Sequence, residues 1–245
     1  MRVVLLVLLA AATVAPASAG APRRSGLAVW PARATLVAGS ATTLRIANRT
    51  RSSVSVAVRA LGLTLDLHGS PRLVRASAGT SLVSVRTAHV VVAPGAVGSV
   101  GVRVSAGRGL PPGDRPALVL LTARSAGGAG IGVRVRIGVP VEVRVPGLVR
   151  RRLVLGALRV RGRRLELAVR NSGNVTERLG RDSVVVEVWR GSRRLATLQP
   201  RPRDLFPRAR GVVEYRVPKR IHGKARVRAR VSVPTTGRRA FSVAL

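Results

Sequence analysis

Ile131-Gly132-Val133-Arg134-Val135-Arg136-Ile137-Gly138-Val139-Pro140-Val141-Glu142-Val143-Arg144-Val145 carries an aliphatic residue at every odd position. The even positions hold glycine, arginine, proline and one glutamate. Side chains alternate faces along a β-strand, so this run makes one apolar stripe with a basic, wet opposite face. A helix would scatter the same residues over every face. At roughly 3.3 Å per residue the run extends about 50 Å, well beyond an ordinary strand. It is therefore expected to cross a whole sandwich, bend or change sheets. Pro140 has no ladder donor and belongs at an edge, a strand start or a bulge, and Gly138 suggests a kink. An edge strand with open backbone groups is a place where another chain adds a strand.

The rest of the chain repeats this style in shorter runs separated by Gly, Pro, Ser and Asn, with no helical stripe beyond the first residues. The pattern predicts an all-β fold of two tandem immunoglobulin-like β-sandwich domains after an N-terminal signal peptide. Strands are expected over 27–30, 34–37, 42–47, 53–61, 83–92, 97–105 and 117–124, followed by the long stripe. Leu118-Val119-Leu120-Leu121 is apolar on both faces, which fits a central strand. Leu110-Pro111-Pro112-Gly113-Asp114-Arg115 reads as a turn. Ser125-Ala126-Gly127-Gly128-Ala129-Gly130 reads as a hairpin loop; it lacks the dinucleotide spacing, and no helix follows to offer its N-terminus to a phosphate.

Pro146-Gly147 and the cluster Arg150-Arg151-Arg152 mark a domain boundary, giving domains over 20–147 and 148–245. In the second, strands are expected over 153–160, 164–170, 183–189, 194–198, 212–217, 225–233 and 241–244. Asn171-Ser172-Gly173-Asn174-Val175-Thr176 reads as a turn whose asparagines and glycine tolerate left-handed backbone.

Arg2, the apolar run Val3 to Val14 and Ala17-Ser18-Ala19 form a secretory signal over residues 1–19. That apolar core is too short to span a bilayer, and no later stretch reaches about 20 apolar residues. The mature chain is thus expected to have no transmembrane segment. The absence of cysteine rules out disulfides, thiolate metal sites and a lipid-anchored cysteine. Export without cysteine fits a bacterial envelope, in periplasm, cell wall or extracellular space.

Forty-four basic residues against nine acidic ones give a net charge of +35. Such a surface attracts anionic wall polymers, lipid headgroups or nucleic acid. Only Lys219 and Lys224 are lysine, a skew that a GC-rich genome also produces. The chain holds few aromatic platforms for base stacking, which argues against nucleic acid.

No constellation points to catalysis. His68, His89 and His222 lack metal-ligand spacing, and no cofactor or metal is expected. Asp66, His68 and Ser70 sit two apart, but no nucleophile elbow accompanies them, and they read as a solvated strand end. Glu142, Glu166 and Glu187 alternate with aliphatics and read as cross-strand partners of arginine. Trp30 and Trp189 read as core-edge packing rather than sugar platforms. The sequons at Asn48 and Asn174 fall in turns.

Val29-Trp30-Pro31-Ala32-Arg33, the glycine of Val37-Ala38-Gly39 and the strand Leu44-Arg45-Ile46-Ala47-Asn48 resemble the opening of periplasmic pilus-chaperone-like domains. They are also similar to the immunoglobulin-like domain of unknown function in Gram-positive surface proteins of the WxL-associated type. Leu110-Pro111-Pro112-Gly113-Asp114, the strand ending in Val145-Pro146-Gly147, and Arg170-Asn171-Ser172-Gly173-Asn174-Val175 fit the same surface proteins. In pilus chaperones a long alternating strand donates apolar side chains to a subunit lacking its last strand. A cleft arginine and lysine grip that subunit's C-terminal carboxylate. The resemblance sets Arg33 in the arginine's place; the stripe carries Arg134 and Arg136 and no lysine.

The expectation is an exported, non-enzymatic envelope protein that binds envelope or surface proteins by strand addition along Ile131–Val145. Its partner-binding residues would be Arg33, Val133, Val135, Ile137, Val139 and Val141. The alternative is a basic module held on an anionic cell-wall polymer.

Overall fold

Nineteen strands and one 3-10 turn (Thr80–Leu82) account for the regular structure in the computed structural model, which describes residues 26–107, 109–125, 134–181, 183–231 and 238–244. The expected signal peptide, the loop residues 126–130 and Ile131, Gly132 and Val133 lie outside the described residues. The first ten strands are β1 (Leu27–Trp30), β2 (Ala34–Val37), β3 (Ala41–Asn48), β4 (Val54–Leu65), β5 (Pro71–Val74), β6 (Val83–Val85), β7 (His89–Val92), β8 (Val97–Val104), β9 (Gly113–Ser125) and β10 (Arg134–Val145). One sheet runs β1-β3-β8-β6 and the other β2-β10-β9-β4-β5, with β7 also on β4. Between them lies a core that includes Leu44, Ile46, Val56, Val100, Val119, Leu121, Val139 and Val143.

Two sheet switches follow from slips in the apolar alternation. Leu27 and Val29 are odd, whereas Leu36 is even, and all three pack on the same core; Ala34, also even, is buried. One continuous strand cannot turn both sets inward. The chain crosses between sheets over 31–33, so β1 pairs with β3 and β2 runs parallel to β10. The single strand expected over 83–92 divides for the same reason. Val83 and Val85 are odd, Val90 and Val92 even, and β6 joins β8 while β7 joins β4.

β9 is central, paired to β10 and β4. Its two apolar faces serve different cores: Val119 and Leu121 enter the main one, while Leu118 and Leu120 pack with Leu63 on the opposite side, where Phe206 joins them. The sequence put a turn at Pro112-Gly113-Asp114, but β9 already begins at Gly113. Its φ is +127°, and a Cβ there would lie 2.1 Å from the Asn174 carbonyl oxygen.

The second half comprises β11 (Leu153–Arg161), β12 (Arg164–Asn171), β13 (Glu177–Leu179), β14 (Val184–Arg190), β15 (Arg193–Leu198), β16 (Arg203–Leu205), β17 (Arg210–Arg216), β18 (Lys224–Val231) and β19 (Arg238–Ala244). They form sheets β11-β12-β17, β13-β16 and β15-β14-β18-β19 around a core of their own. Among the described residues no helix is long and apolar enough to cross a membrane.

Tyr215 lies in this core, 2% exposed, and its hydroxyl donates to the Val184 carbonyl at 2.9 Å. Burial raises its pKa, because the phenolate cannot be solvated there. A raised folded pKa contributes stability at neutral pH that is lost as pH climbs through it. Tyr215 is the chain's one tyrosine. Phenolate absorbance near 295 nm is therefore expected to appear only together with alkaline unfolding followed by circular dichroism. A step at the ordinary tyrosine pKa in folded protein would contradict this placement.

Candidate functional site

β10 pairs with β9 from Arg134 to Val145 in unbroken register, so Gly138 and Pro140 produce no bulge. On its other side β2 covers Val141 to Arg144 only. From Arg134 to Pro140 no strand among the described residues lies beside that edge. The backbone explains how proline fits. Ala38 N–H donates to the Arg144 carbonyl at 2.9 Å, so Arg144 turns its backbone polar groups toward β2. Residues two apart share that direction. The missing N–H of Pro140 therefore falls on the β2 side and costs the β9 ladder nothing. Arg136 and Gly138 present their N–H and C=O groups to the open side.

The odd side chains of β10 do not share one environment. Val135 is 38% exposed and Ile137 half-buried against the core, while Val139 and Val141 are each 1% exposed inside it. Val133 lies outside the described residues. Among the described residues the stripe thus reaches the surface only at Val135 and, in part, at Ile137.

On the even side, Arg136, Gly138 and Pro140 line a cleft between the two sandwiches, a cavity of about 510 Å³. Leu63, Leu65, Leu73, Leu118 and Leu120 also line it, and Phe206 and Asp204 face it from the second sandwich. Glycine at 138 makes room here, since a Cβ would sit 3.1 Å from Leu118 Cδ1. Arg33, in the crossover before β2, stands in the same cleft and forms an ion pair with Asp204. That hydrogen bond raises the Arg33 pKa further, so the guanidinium stays charged. Beside it Arg203 donates to the carbonyls of Leu67 at 2.6 Å and Val212 at 2.7 Å. Burial lowers its pKa, and its Nη2 has no hydrogen-bond partner among the described residues.

Below the cleft a polar joint ties the sandwiches together. Asp114, fully buried, accepts from Arg144 Nε at 2.7 Å and Nη2 at 2.9 Å and from Thr176 N–H at 2.7 Å. Asn174 Nδ2 donates to the carbonyls of Pro112 and Leu148 at 3.0 and 2.8 Å. Glu142 and Glu177 are buried alongside, and desolvation raises both carboxyl pKa values. Asp66 Oδ1 accepts the N–H groups of His68 and Ser70, each at 2.9 Å, and so closes the β4–β5 turn. His68 Nδ1 lies 2.8 Å from Glu214 Oε1 across the joint. This grouping is a hairpin turn and a bridge between sandwiches, with the Ser70 backbone rather than its hydroxyl engaged. Trp30 is 39% exposed, and Trp189 sits beneath Arg228, whose Cζ is 4.7 Å from the ring centre.

Sequence reasoning reached Arg33 and the β10 edge but missed Asp204, Arg203, Phe206 and Asp114. β16, which carries Arg203 and Asp204, is three residues long and shows no alternation to read. Asp114 stood inside a proline-glycine turn signature.

The sequence matches no family model and no curated protein. Its fold is similar to solved pilus chaperone structures. The class 5 fimbriae chaperone CfaA aligns with TM-score 0.52 at 11% identity, over 89% of this chain and 98% of that one. The CsuC–CsuE chaperone–tip adhesion subunit complex of archaic chaperone-usher Csu pili from Acinetobacter baumannii contributes a match with TM-score 0.51 at 13% identity, over 88% and 98%. The Salmonella enterica SafA pilin in complex with the SafB chaperone gives TM-score 0.50 at 13% identity, over 92% and 99%. The chain therefore has the two-domain, immunoglobulin-like, all-β fold of these chaperones, to which it is distantly similar.

Proposed function

We propose that this is an exported, non-enzymatic chaperone-like protein that binds an envelope or surface protein by strand addition to β10. The observation that carries the reading is the open edge from Arg134 to Pro140, which lies beyond the stretch covered by β2 and is bordered by Val135 and Ile137. Added strands gain affinity from main-chain hydrogen bonds and specificity from alternate side chains. A strand entering parallel to β10, in line with β2, would stop where β2 begins. Its C-terminal end would then reach the cleft beside Arg33, where Asp204 now holds the guanidinium. Bacterial periplasm or outer envelope is the setting this reading requires, and residues 20–147 and 148–245 are its two domains.

The test separates edge from core. Val139→Arg is unsuitable, because Val139 is a core residue. Arg136→Pro removes one open-side donor and leaves the β9 ladder intact. Arg136→Ala removes the same charge and keeps the donor. In pull-downs from the native envelope, Arg136→Pro and Val135→Arg are expected to lose at least about tenfold of partner retention, and Arg136→Ala far less. Equal retention by wild type and Arg136→Pro would dismiss strand addition at this edge.

A further inference from the structure

β18 is the middle strand of β14-β18-β19, and its side chains alternate strictly between exposed and buried. Its outward positions are Lys224, Arg226, Arg228 and Arg230, cationic without exception. No other described strand has an outward face of this kind. On β12 and β17, Glu166 and Glu214 interrupt the arginines, and each is engaged by a cation or histidine. Facing β18, β19 has no acidic residue, its register setting Ala240 opposite Arg228 and Ser242 opposite Arg226. On β14 the single carboxylate is Glu187, opposite Arg228. It already accepts from Arg194 Nη1 at 3.1 Å and Trp189 Nε1 at 3.3 Å. Among the described residues none of the four β18 cations forms a salt bridge.

We infer that this face binds a linear phosphodiester polymer with a polyol backbone, of the poly(glycerol phosphate) type. Alternate residues on a strand stand about 6.7 Å apart, so the row presents four cations over about 20 Å. That repeat is comparable to the separation of successive phosphates in an extended polyol phosphate chain. Arginine forks match phosphate oxygens, whereas the neighbouring Arg194 is held by Glu187 and adds no free cation to the row. An acidic peptide is a poorer occupant. β18 is paired on both sides, so it offers no edge for a strand, and the row holds no apolar anchor. A nucleic acid is poorer as well, because Trp189 is the one aromatic beside the row and it lies under Arg228. The inference is independent of strand addition at β10, which lies in the other sandwich.

The test compares two charge-matched triple variants of the full protein, checked for fold by circular dichroism. One carries Arg226→Ser, Arg228→Ser and Arg230→Ser. The other removes the exposed Arg45, Arg59 and Arg103 of the first sandwich in the same way. Binding of labelled poly(glycerol phosphate) is measured from low to high salt, with poly-glutamate and a thymidine oligonucleotide alongside. The β18 triple is expected to weaken polymer binding at least tenfold and to reduce the log–log salt slope by about two, as loss of three phosphate contacts requires. The first-sandwich triple is expected to shift affinity less than threefold. Equal losses in both triples would overturn the inference, since binding would then follow diffuse charge. Tighter binding of poly-glutamate or the oligonucleotide than of the polyol phosphate would overturn it equally.

Discussion

Arg144→Ala is expected to destabilise the protein by about 3–5 kcal/mol, the usual consequence of stripping one partner from a buried ion pair. Arg144 holds Asp114 through two hydrogen bonds, and the Asp114 side chain has no solvent exposure. Without the guanidinium the carboxylate keeps only the Thr176 N–H and faces the buried Glu142 and Glu177 nearby. Asp114→Ala is expected to cost less, about 2–3 kcal/mol, because the Arg144 side chain is 39% exposed and can turn to water. The order of the two losses is the diagnostic part. A surface ion pair would give small and similar values for both. Trp30 lies in the first sandwich and Trp189 in the second, so single-tryptophan versions report each in denaturant unfolding. Wild type is expected to show coincident transitions, and Arg144→Ala two separated ones. Coincident transitions in Arg144→Ala with less than about 1 kcal/mol lost would mean that this pair does not tie the sandwiches.

The pH response of the joint follows from Glu142 and Glu177. Burial raises both folded pKa values, so the protein binds these protons more tightly than the unfolded chain does. Their contribution is fully present below the unfolded carboxyl pKa and declines as pH rises through the raised folded values. They oppose the more usual loss of stability in acid.

Alternation was the most legible feature of the sequence. It located β8, β12 and β14 within a residue or two and the end of β10 at Val145, because each packs one face on a core. The same periodicity held the evidence for both sheet switches, as a parity slip over 31–33 and another over 86–88, but a slip marks a break without saying which sheet follows. Short strands such as β13 and β16, which pair with each other across more than twenty positions, and β5, which is fixed by its hairpin on β4, leave no periodic trace. Of the edge, strand start or bulge that the sequence leaves open for Pro140, the structure shows the edge. The expected bulge is absent because the missing donor already points to the open side. The cleft was legible only through Arg33. Its counterpart Asp204 comes from 171 positions away, and no local pattern announces a contact of that separation.

Asn171 shows how a turn signature can conceal a buried network. The sequence suggested left-handed backbone in 171–176, yet the only described non-glycine residue with positive φ is Arg208, at 62°. The turn is held instead by one carboxamide. Asn171, 0% exposed, donates from Nδ2 to the Val175 and Leu205 carbonyls at 2.8 and 3.0 Å, and its Oδ1 accepts from Gly173 N–H at 2.9 Å. Asn48 repeats the device in the first sandwich: Nδ2 donates to Ser52 and Val92 carbonyls at 2.8 and 2.9 Å, and Oδ1 accepts from Thr50 N–H at 2.9 Å. In each case the acceptors are the residue four positions on and a distant strand or turn. Asn171→Ala strands two buried carbonyls and one N–H, and is expected to cost about 3–5 kcal/mol at the rate of 1–3 per unsatisfied group after relaxation. Asn171→Asp should be no milder, since a carboxylate would face two carbonyl oxygens. Asn48→Ala is expected to be destabilising by a smaller margin. The loop after Asn171 also enters the joint, where Ser172 N–H donates to the Arg152 carbonyl at 2.7 Å and Asn174 N–H to that of Arg150 at 2.9 Å. A Cβ on Gly173 would lie 2.2 Å from the Arg150 oxygen, so this loop has no room to settle elsewhere. Asn171→Ala should accordingly shift both tryptophan transitions and Asn48→Ala mainly that of Trp30. If Asn171→Ala moved the Trp189 transition alone, the carboxamide would be a cap for the second sandwich with no part in the joint.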